Sequence, residues 1–243
     1  MAMTVRKRFA SIPHIAWFFS SQYVTNLIDK YVHRQRREEA ALEFVLKHAT
    51  SGSPQSVLQT MDTFSRQRRW LQSVGPKKGE ILLQALRDAQ ARRVLEIGSY
   101  CGYSATLIGE YLAACGGHLT AIEISRRNTA VAMQVVKHAG LASVVTFRRG
   151  TLESEISSLE GPFDAIFLDH WKDVYLPDLR RLEANHLLRP GTVVVADNVG
   201  FFNVADYLNY VRTCGHYRSR YERSSVEYQD ALEDGVEVSE FTG

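Results

Sequence analysis

The sequence predicts an α/β protein in which a doubly wound, mostly parallel sheet carries helices on both faces and ends in an antiparallel hairpin. Between residues 93 and 197, short apolar runs typical of buried strands alternate with amphipathic segments typical of helices. Neighbouring parallel strands need a long crossover, usually a helix, so this alternation favours a parallel sheet. Helical segments precede the first strand, and a strand-like tail closes the chain.

Six amphipathic segments are predicted to be helices. The turn-like residues 50–54, Thr-Ser-Gly-Ser-Pro, separate the first two of them, because Gly, Pro and Ser interrupt regular structure. Three helices are expected before the sheet and three between its strands. Their expected positions are residues 38–48, 56–65, 78–91, 104–114, 128–139 and 176–188.

Five apolar runs are predicted to be the parallel strands. They lie at residues 93–98, 118–124, 144–149, 163–169 and 192–197. The tail, residues 217–241, has aromatic and β-branched residues on either side of the turn-like Glu233-Asp234-Gly235. We therefore expect an antiparallel hairpin there that turns at these three residues.

The N-terminal segment, residues 1–41, is interpreted as an extension to one catalytic domain of residues 42–243. Its apolar run is far shorter than the ~20 residues that a transmembrane helix needs. Four-residue spacing of apolar residues instead predicts an amphipathic helix, which packs on protein or lies on a membrane. We expect a cytoplasmic protein, with membrane-surface or organelle association through residues 1–41 as the alternative, and a monomer. The spaced residues are Ile15, Phe19, Tyr23, Leu27 and Tyr31.

The composition excludes several classes of function. A net charge of +2, from 29 basic and 27 acidic residues, lacks the concentrated basic excess that nucleic-acid binding requires, so no nucleic acid partner is expected. Cys101, Cys115 and Cys214 are too few and too scattered for a disulfide framework or a zinc site. A reducing compartment is therefore expected.

Oxygen-bearing side chains follow the last two predicted parallel strands. Asp169 ends the run Phe-Leu-Asp, and Asp197 and Asn198 end the run Val-Ala-Asp-Asn. Three such oxygens suit an octahedral cation such as Mg²⁺, which keeps its other positions for water and substrate. Lys172 stands three residues after Asp169, and a nearby cation with partial burial would lower its pKa far enough for a general base.

A glycine-containing turn, residues 96–104, follows the first strand, and Glu123 ends the second strand. Ligands of doubly wound sheets bind beyond the carboxyl ends of the strands, and a carboxylate at Glu123 suits the two hydroxyls of a ribose. Two positions after Gly98 stands Tyr100, too bulky for the glycine-rich turn that contacts a pyrophosphate. S-adenosylmethionine, which contains a nucleoside without phosphates, is therefore the favoured cofactor. The alternative is a nicotinamide-dependent dehydrogenase.

Residues 43–243 resemble the catechol O-methyltransferase family, which uses S-adenosylmethionine and Mg²⁺ to methylate small molecules. Each motif alone is weak, but together and in order they span most of the chain. They are residues 70–78 (Trp-Leu-Gln-Ser-Val-Gly-Pro-Lys-Lys), residues 96–104, residues 169–173 (Asp-His-Trp-Lys-Asp), residues 175–178, Asp197-Asn198-Val199 and Glu227-Tyr228. The resemblance implies a seven-stranded Rossmann-like methyltransferase fold with extra N-terminal helices.

The resemblance also implies a role for individual residues. The metal, Mg²⁺, is implied to be held by Asp169, Asp197 and Asn198, and Lys172 is implied to be the catalytic base. The residues implied to contact the cofactor are Val74, Glu96, Gly98, Tyr100, Ser104, Glu123, Ile124, Asp169, His170 and Trp171, the last two near the adenine. The residues implied to contact a catechol are Trp70, Trp171, Lys172, Asn198 and Glu227.

The chain departs from the family pattern beside the expected ligands. Gln72 replaces a methionine near substrate and cofactor, and Leu152 and Glu153 replace a serine and a glutamine near the adenine. Phe202 stands in a loop that lacks the usual proline wall of the catechol slot. These changes leave a second hypothesis open, in which a catalytically altered relative acts as the binding partner of a membrane protein.

Overall fold

The computed structural model describes Ser20, Val24 and residues 35–243. Its sheet has seven strands in the order β3-β2-β1-β4-β5-β7-β6. The first five are parallel, and β7 runs antiparallel to β5 and β6. The predicted α/β fold class, with its mostly parallel seven-stranded sheet and antiparallel hairpin, is confirmed.

The described elements alternate as the sequence predicted, with bounds that differ by a few residues. The strands are β1 Arg93–Ile97, β2 His118–Glu123, β3 Val145–Arg149, β4 Ala165–Leu168, β5 Val193–Ala196, β6 Tyr217–Val226 and β7 Gln229–Phe241. The helices are α1 Arg37–His48, α2 Pro54–Gln67, α3 Gly75–Asp88, α4 Tyr103–Cys115, α5 Arg126–His138, α6 Leu152–Glu155, α7 Tyr175–Ala184 and α8 Ala205–Thr213. Single 3₁₀ turns lie at Ile156–Ser158 and Lys172–Val174.

Each face of the sheet supports its own hydrophobic core. Successive residues of a strand point to opposite faces, so Val94 and Val195 pack in the core under α1 to α5 whereas Leu95 and Val194 pack in the core under α7 and α8. Both faces of β4 and β5 are buried throughout. This double burial explains why the central strands are continuous apolar runs.

The connections change sides between β1 and β4, which are neighbours in the sheet. The helices that follow β1 and β2 pack on one face, and those that follow β4 and β5 pack on the other. Such a reversal opens a crevice beyond the carboxyl ends of the two strands, where doubly wound folds bind ligands. Gly98 follows β1 and Asp169 follows β4, so two predicted site segments border this crevice.

The C-terminal hairpin turns at a different place from the predicted one. Its turn is Glu227-Tyr228, and Asp234 and Gly235 lie inside β7, paired with Ser224 and Arg223 of β6. The Asp-Gly pair is needed for packing, because Asp234 is fully buried and a Cβ on Gly235 would meet the ring of Tyr221. A buried ion pair and a close ring contact therefore override the turn preference of this dipeptide.

Two helical predictions also differ from the structure. The helix expected to reach residue 188 ends at Ala184, and the chain then turns so that Leu187 and Leu188 enter the core as part of a loop. The helix α8 was not predicted, although its Tyr207 and Val211 are spaced four residues apart and are both buried. This four-residue spacing of buried residues is the sequence signal of the helix.

The predicted N-terminal amphipathic helix lies mainly outside the described residues. The expected boundary between residues 41 and 42 falls inside α1, whose Ala40, Ala41 and Val45 are buried in the core. The division into an extension and a catalytic domain stays a prediction. Among Ser20, Val24 and residues 35–243, no helix has the length and apolarity to cross a membrane.

Candidate active site

The turn after β1 packs directly on the end of β4. Gly98 has a φ of +93°, and a Cβ at this position would lie 2.5 Å from the carbonyl oxygen of Asp169. Only glycine tolerates both this conformation and this approach. Glu123 holds the turn from the other side, because its carboxylate accepts hydrogen bonds from the backbone of Tyr100 (2.9 Å) and Ser99 (3.3 Å). Glu123, the residue predicted to bind the ribose, therefore also orders the turn predicted to bind the cofactor.

Glu96, the fourth residue of β1, carries a carboxyl group that is shielded from solvent. It is 0 % exposed, and neither of its carboxylate oxygens has a hydrogen-bond partner among the residues the structure describes. Burial raises its pKa to about 8, although the nearby hydroxyls of Ser104 and Ser99 act in the opposite direction. An unpartnered buried carboxyl of this kind suits a ligand that brings a cationic donor.

The remaining predicted cofactor residues differ in exposure. Val74 is buried immediately before α3, Ser104 is buried in the first turn of α4, and Ile124 is exposed beside Glu123. His170 Nε2 lies 2.9 Å from a carboxylate oxygen of Asp178, while its buried Nδ1 has no partner among the described residues. In the tautomer that donates its Nε2–H to Asp178, Nδ1 is an acceptor.

The three predicted metal ligands lie at neighbouring strand ends. Leu168 of β4 pairs with Ala196 of β5, so that Asp169 and Asp197 follow paired positions. The backbone N–H of Asp197 donates to the carbonyl of Leu168 at 3.0 Å. Asn198 comes next, with a φ of +58° that turns its side chain off the line of the strand. The structure therefore brings this predicted set to one edge of the sheet.

Each of these side chains uses one polar atom within the protein. Asp169 Oδ1 accepts from Lys172 Nζ (3.0 Å), Asp197 Oδ1 accepts from the backbone N–H of Asn198 (2.7 Å), and Asn198 Nδ2 donates to Asp234 Oδ2 (2.9 Å). Asp197 Oδ2 is buried and has no hydrogen-bond partner among the described residues. An orphaned carboxylate oxygen beside two further oxygen donors fits a hard divalent cation.

Lys78 of α3 is the main residue that the sequence reasoning missed. Its side chain is 1 % exposed, and Nζ lies 2.7 Å from Asp197 Oδ1, 2.9 Å from Asp234 Oδ2 and in contact with Glu227. Burial alone would lower the pKa of Lys78, but the negative charges of Asp197, Glu227 and Asp234 raise it well above its ordinary value. Lys78 is thus an ammonium ion enclosed by three carboxylates.

The carboxylates of this region carry more charge than the protein neutralises. Asp197, Glu227 and Asp234 surround Lys78, and Asp169 contacts Lys172. Four carboxylates therefore face two lysine side chains, and a divalent cation would offset the excess negative charge. Burial and neighbouring negative charges, including that of Asp169, raise the pKa of Asp197, against the opposing effect of Lys78.

Tyr175 fixes the predicted base, Lys172. Lys172 Nζ donates to the hydroxyl of Tyr175 at 2.7 Å, and that hydroxyl donates in turn to the carbonyl of Leu168 at 2.7 Å. The ring of Tyr175 is fully buried. Lys172 is therefore oriented from two sides, by Asp169 and by a tyrosine anchored to the last residue of β4.

The predicted substrate residues differ widely in exposure. Trp70 Nε1 donates to the backbone carbonyl of Glu227 at 3.0 Å, which brings two of them together. Phe202 is 42 % exposed and its ring centroid lies 5.9 Å from Lys172 Nζ. Trp171 is 78 % exposed, so its predicted contacts with substrate and adenine stay predictions. An exposed aromatic ring beside Lys172 is suited to hold a planar ring.

Sequence signals for the missed residues existed. Lys78 shares helical spacing with the buried Leu82 and Ala85 of α3, which placed a lysine on an apolar face. Asp234 lies on the same face of β7 as the buried Leu232 and Val236. A charged residue within a buried face needs a partner, and this rule would have linked the two.

Comparisons with known proteins find methyltransferases. A family described as a methyltransferase domain matches residues 95–199. Catechol O-methyltransferase B of Danio rerio is 42 % identical over 215 residues, which cover 86 % of this chain and 81 % of that protein. Catechol O-methyltransferase of Bos taurus is 36 % identical over 245 residues, which cover 99 % and 88 %.

A solved structure shares the fold. It is the O-methyltransferase TomG of Streptomyces achromogenes, involved in tomaymycin synthesis and solved in complex with SAM, which superposes with a TM-score of 0.65 at 25 % sequence identity. The match covers 77 % of this chain and 90 % of that one.

Proposed function

Because this chain belongs to the catechol O-methyltransferase family, we propose that it transfers the methyl group of S-adenosylmethionine to one hydroxyl of a catechol or related vicinal diphenol, with Mg²⁺ as the metal. The observation that carries the proposal is the arrangement at the ends of β4 and β5. There the orphaned oxygen of Asp197 lies beside Asp169 and Asn198, and Lys172 is held three residues after Asp169.

S-adenosylmethionine fits the crevice between β1 and β4. Its α-ammonium group is assigned to Glu96, the buried carboxylate without a partner in the described structure. Its ribose hydroxyls are assigned to Glu123, whose oxygens keep lone pairs beyond those used by the turn. The adenine is assigned to His170, Trp171 and Ile124. The buried Leu152 and the exposed Glu153, bonded to Arg181 at 3.1 Å, favour apolar contact over hydrogen bonding at that end.

Asp169, Asp197 and Asn198 would each hold Mg²⁺ through a side-chain oxygen, namely the one that is not used in the hydrogen bonds described above. When bound, the cation supplies positive charge that favours the ionised form of a vicinal hydroxyl and orients both hydroxyls. Glu227 would accept from the second hydroxyl through the oxygen that does not contact Lys78. Trp70, Trp171 and Phe202 would confine the ring.

Lys172 Nζ would take the proton of the reacting hydroxyl. That oxygen then forms a bond to the methyl carbon as the bond from carbon to the sulfonium sulfur breaks, which yields a methyl ether, S-adenosylhomocysteine and protonated Lys172. The role requires Nζ to be unprotonated when the substrate binds and to lie in a fixed position. Asp169 and Tyr175 hold it at 3.0 Å and 2.7 Å.

Transfer of a tritiated methyl group to catechol tests the proposal. The reaction is run with Mg²⁺, with excess EDTA, and with a monophenol in place of catechol. Transfer to catechol that depends on Mg²⁺ supports the proposed reaction. Transfer that is unchanged by EDTA contradicts the metal, and binding of S-adenosylmethionine without transfer to any diphenol favours a binding role.

A further inference from the structure

We propose that Lys78 and Asp234 form a buried ion pair that positions the metal ligands. Lys78 holds one oxygen of Asp197 so that the other faces the metal, and Asp234 holds the amide of Asn198 so that its carbonyl oxygen faces the metal. The inference rests on the Mg²⁺ site of the proposed function. Lys78 and Asp234 are positioning residues, and neither contacts the metal or the substrate.

The three carboxylates around Lys78 look at first like a metal site themselves. Ligand oxygens of Asp197, Glu227 and Asp234 all lie within 4.8 Å of one another. The ammonium group of Lys78 already occupies their centre, however, and contacts all three. A primary ammonium has three donors, so these three contacts saturate it. A metal would therefore be held not at the centre of this cluster but by Asp197 together with Asp169 and Asn198.

Asp234 has no capacity left for a metal. Its Oδ2 accepts from Lys78 Nζ and from Asn198 Nδ2, both at 2.9 Å. Its Oδ1 accepts from the backbone N–H groups of Gly200 (3.2 Å) and Phe201 (3.0 Å). A carboxylate offers about four acceptor sites, and four donors fill them. Asp234 therefore acts entirely through the groups that it holds.

The held groups are those whose orientation a metal site needs. An asparagine ligates Mg²⁺ through its amide oxygen, and either orientation of the amide is open to a free side chain. The bond from Asn198 Nδ2 to Asp234 selects one of them. In Asp197, Lys78 and the backbone of Asn198 both donate to Oδ1, and Oδ2 is left without a partner among the described residues.

The ion pair also joins three separate parts of the fold. Lys78 belongs to α3, Asp234 belongs to β7, and the bonds from Asp234 reach the loop after β5 that contains Asn198 and Gly200. None of these parts is adjacent in sequence to the others. A change at Asp234 would therefore release the metal ligand Asn198 and its loop, while Glu96 and Glu123 of the cofactor crevice keep their positions on other strands.

The test compares Asp234→Asn with Glu237→Gln. Glu237 lies on the same strand but on the opposite face, is fully buried, and forms a two-bond ion pair with Arg212 at 2.7 Å and 2.6 Å. It is thus a matched control for the loss of a buried ion pair. The readouts are the Kd of Mn²⁺, measured by electron paramagnetic resonance of the free ion, the Tm, and the Kd of S-adenosylmethionine measured without metal.

Asp234→Asn is expected to raise the Kd of Mn²⁺ about 10- to 100-fold, the usual cost of losing a group that orients a metal ligand. Its Kd for S-adenosylmethionine should stay within about twofold of the Kd of the unmodified protein, because the substitution disturbs only the metal end of the site. Glu237→Gln should lower the Tm and leave the Kd of Mn²⁺ unchanged. If Asp234→Asn does not fold, the double variant Lys78→Met, Asp234→Asn, which removes both charges, takes its place with the same expected loss.

Two outcomes overturn the inference and are distinct from each other. If the unmodified protein binds Mn²⁺ and the Asp234 variant binds it equally well, the ion pair is only structural and the proposed function stands. If the unmodified protein binds no Mn²⁺, the metal-dependent function fails and the inference fails with it.

Discussion

Replacing Glu96 by glutamine is expected to remove a specific pH dependence of folding. The pKa of Glu96 is about 8 in the folded protein because the side chain is buried, whereas an exposed glutamate titrates near ~4.3. The folded chain therefore keeps a proton that the unfolded chain has already released. Stability from this group is fully present below the unfolded pKa and is lost as the pH rises toward the folded one.

The size of the effect follows from the two pKa values. Linkage between an unfolded pKa of about 4.3 and a folded pKa of about 8 gives a loss of roughly 2 kcal/mol between pH 6 and pH 8. The glutamine variant has no such group, so its free energy of unfolding should fall by about 2 kcal/mol less over this interval. The same substitution should weaken binding of S-adenosylmethionine, because the ligand ammonium loses a charged partner.

Urea unfolding of both proteins at several pH values between 6 and 8 measures the difference. Glu160→Gln, at an exposed position of the loop before β4, is the control and should change neither the slope nor the affinity. A second readout is calorimetry of S-adenosylmethionine binding at pH 7 in buffers of different ionisation enthalpy, where the unmodified protein should release close to one proton. Parallel stability curves for the Glu96 variant and the unmodified protein would refute the burial argument.

Three further predictions concern the reacting end of the site. Lys172→Met should lower kcat by roughly 10² to 10⁴ and leave the Kd of S-adenosylmethionine within about twofold, with the exposed Lys47→Met as control; turnover near that of the unmodified protein would remove Lys172 from its role. Tyr175→Phe should lower kcat by roughly tenfold, because Lys172 loses its 2.7 Å partner, and an unchanged kcat would show that Asp169 alone suffices. Phe202→Ala should raise KM for catechol about tenfold with little change in kcat, as expected when only binding contact is lost; an unchanged KM would place the ring outside the slot.

Much of this architecture could be predicted from the sequence because it depends on local patterns. The buried runs at β4 and β5 and the polar residues directly after them fix both the parallel sheet and the place where Asp169 and Asp197 meet. Paired strands bring residues that are distant in sequence to the same edge, so a pattern along the chain becomes a pattern in space. The predicted metal set and its base, Lys172, followed from this rule and from the family resemblance.

The remainder depends on contacts that no local pattern specifies. The dipeptide Asp234-Gly235 has a strong turn preference, yet Lys78 and Tyr221 hold it inside β7. Lys78 itself lies on the helix α3, 156 residues away from Asp234 in sequence. A buried charge is stable only with its partner, and the identity of that partner becomes visible only when the fold brings the two together.

The central claim is that the ends of β4 and β5 hold a divalent cation to which both hydroxyls of the catechol bind. Electron paramagnetic resonance of the Mn²⁺-loaded protein with ¹⁷O-labelled catechol and S-adenosylhomocysteine measures this directly. The account predicts ¹⁷O broadening of the Mn²⁺ signal when either hydroxyl is labelled. Mn²⁺ that is bound to the protein but shows no broadening from either oxygen would contradict it.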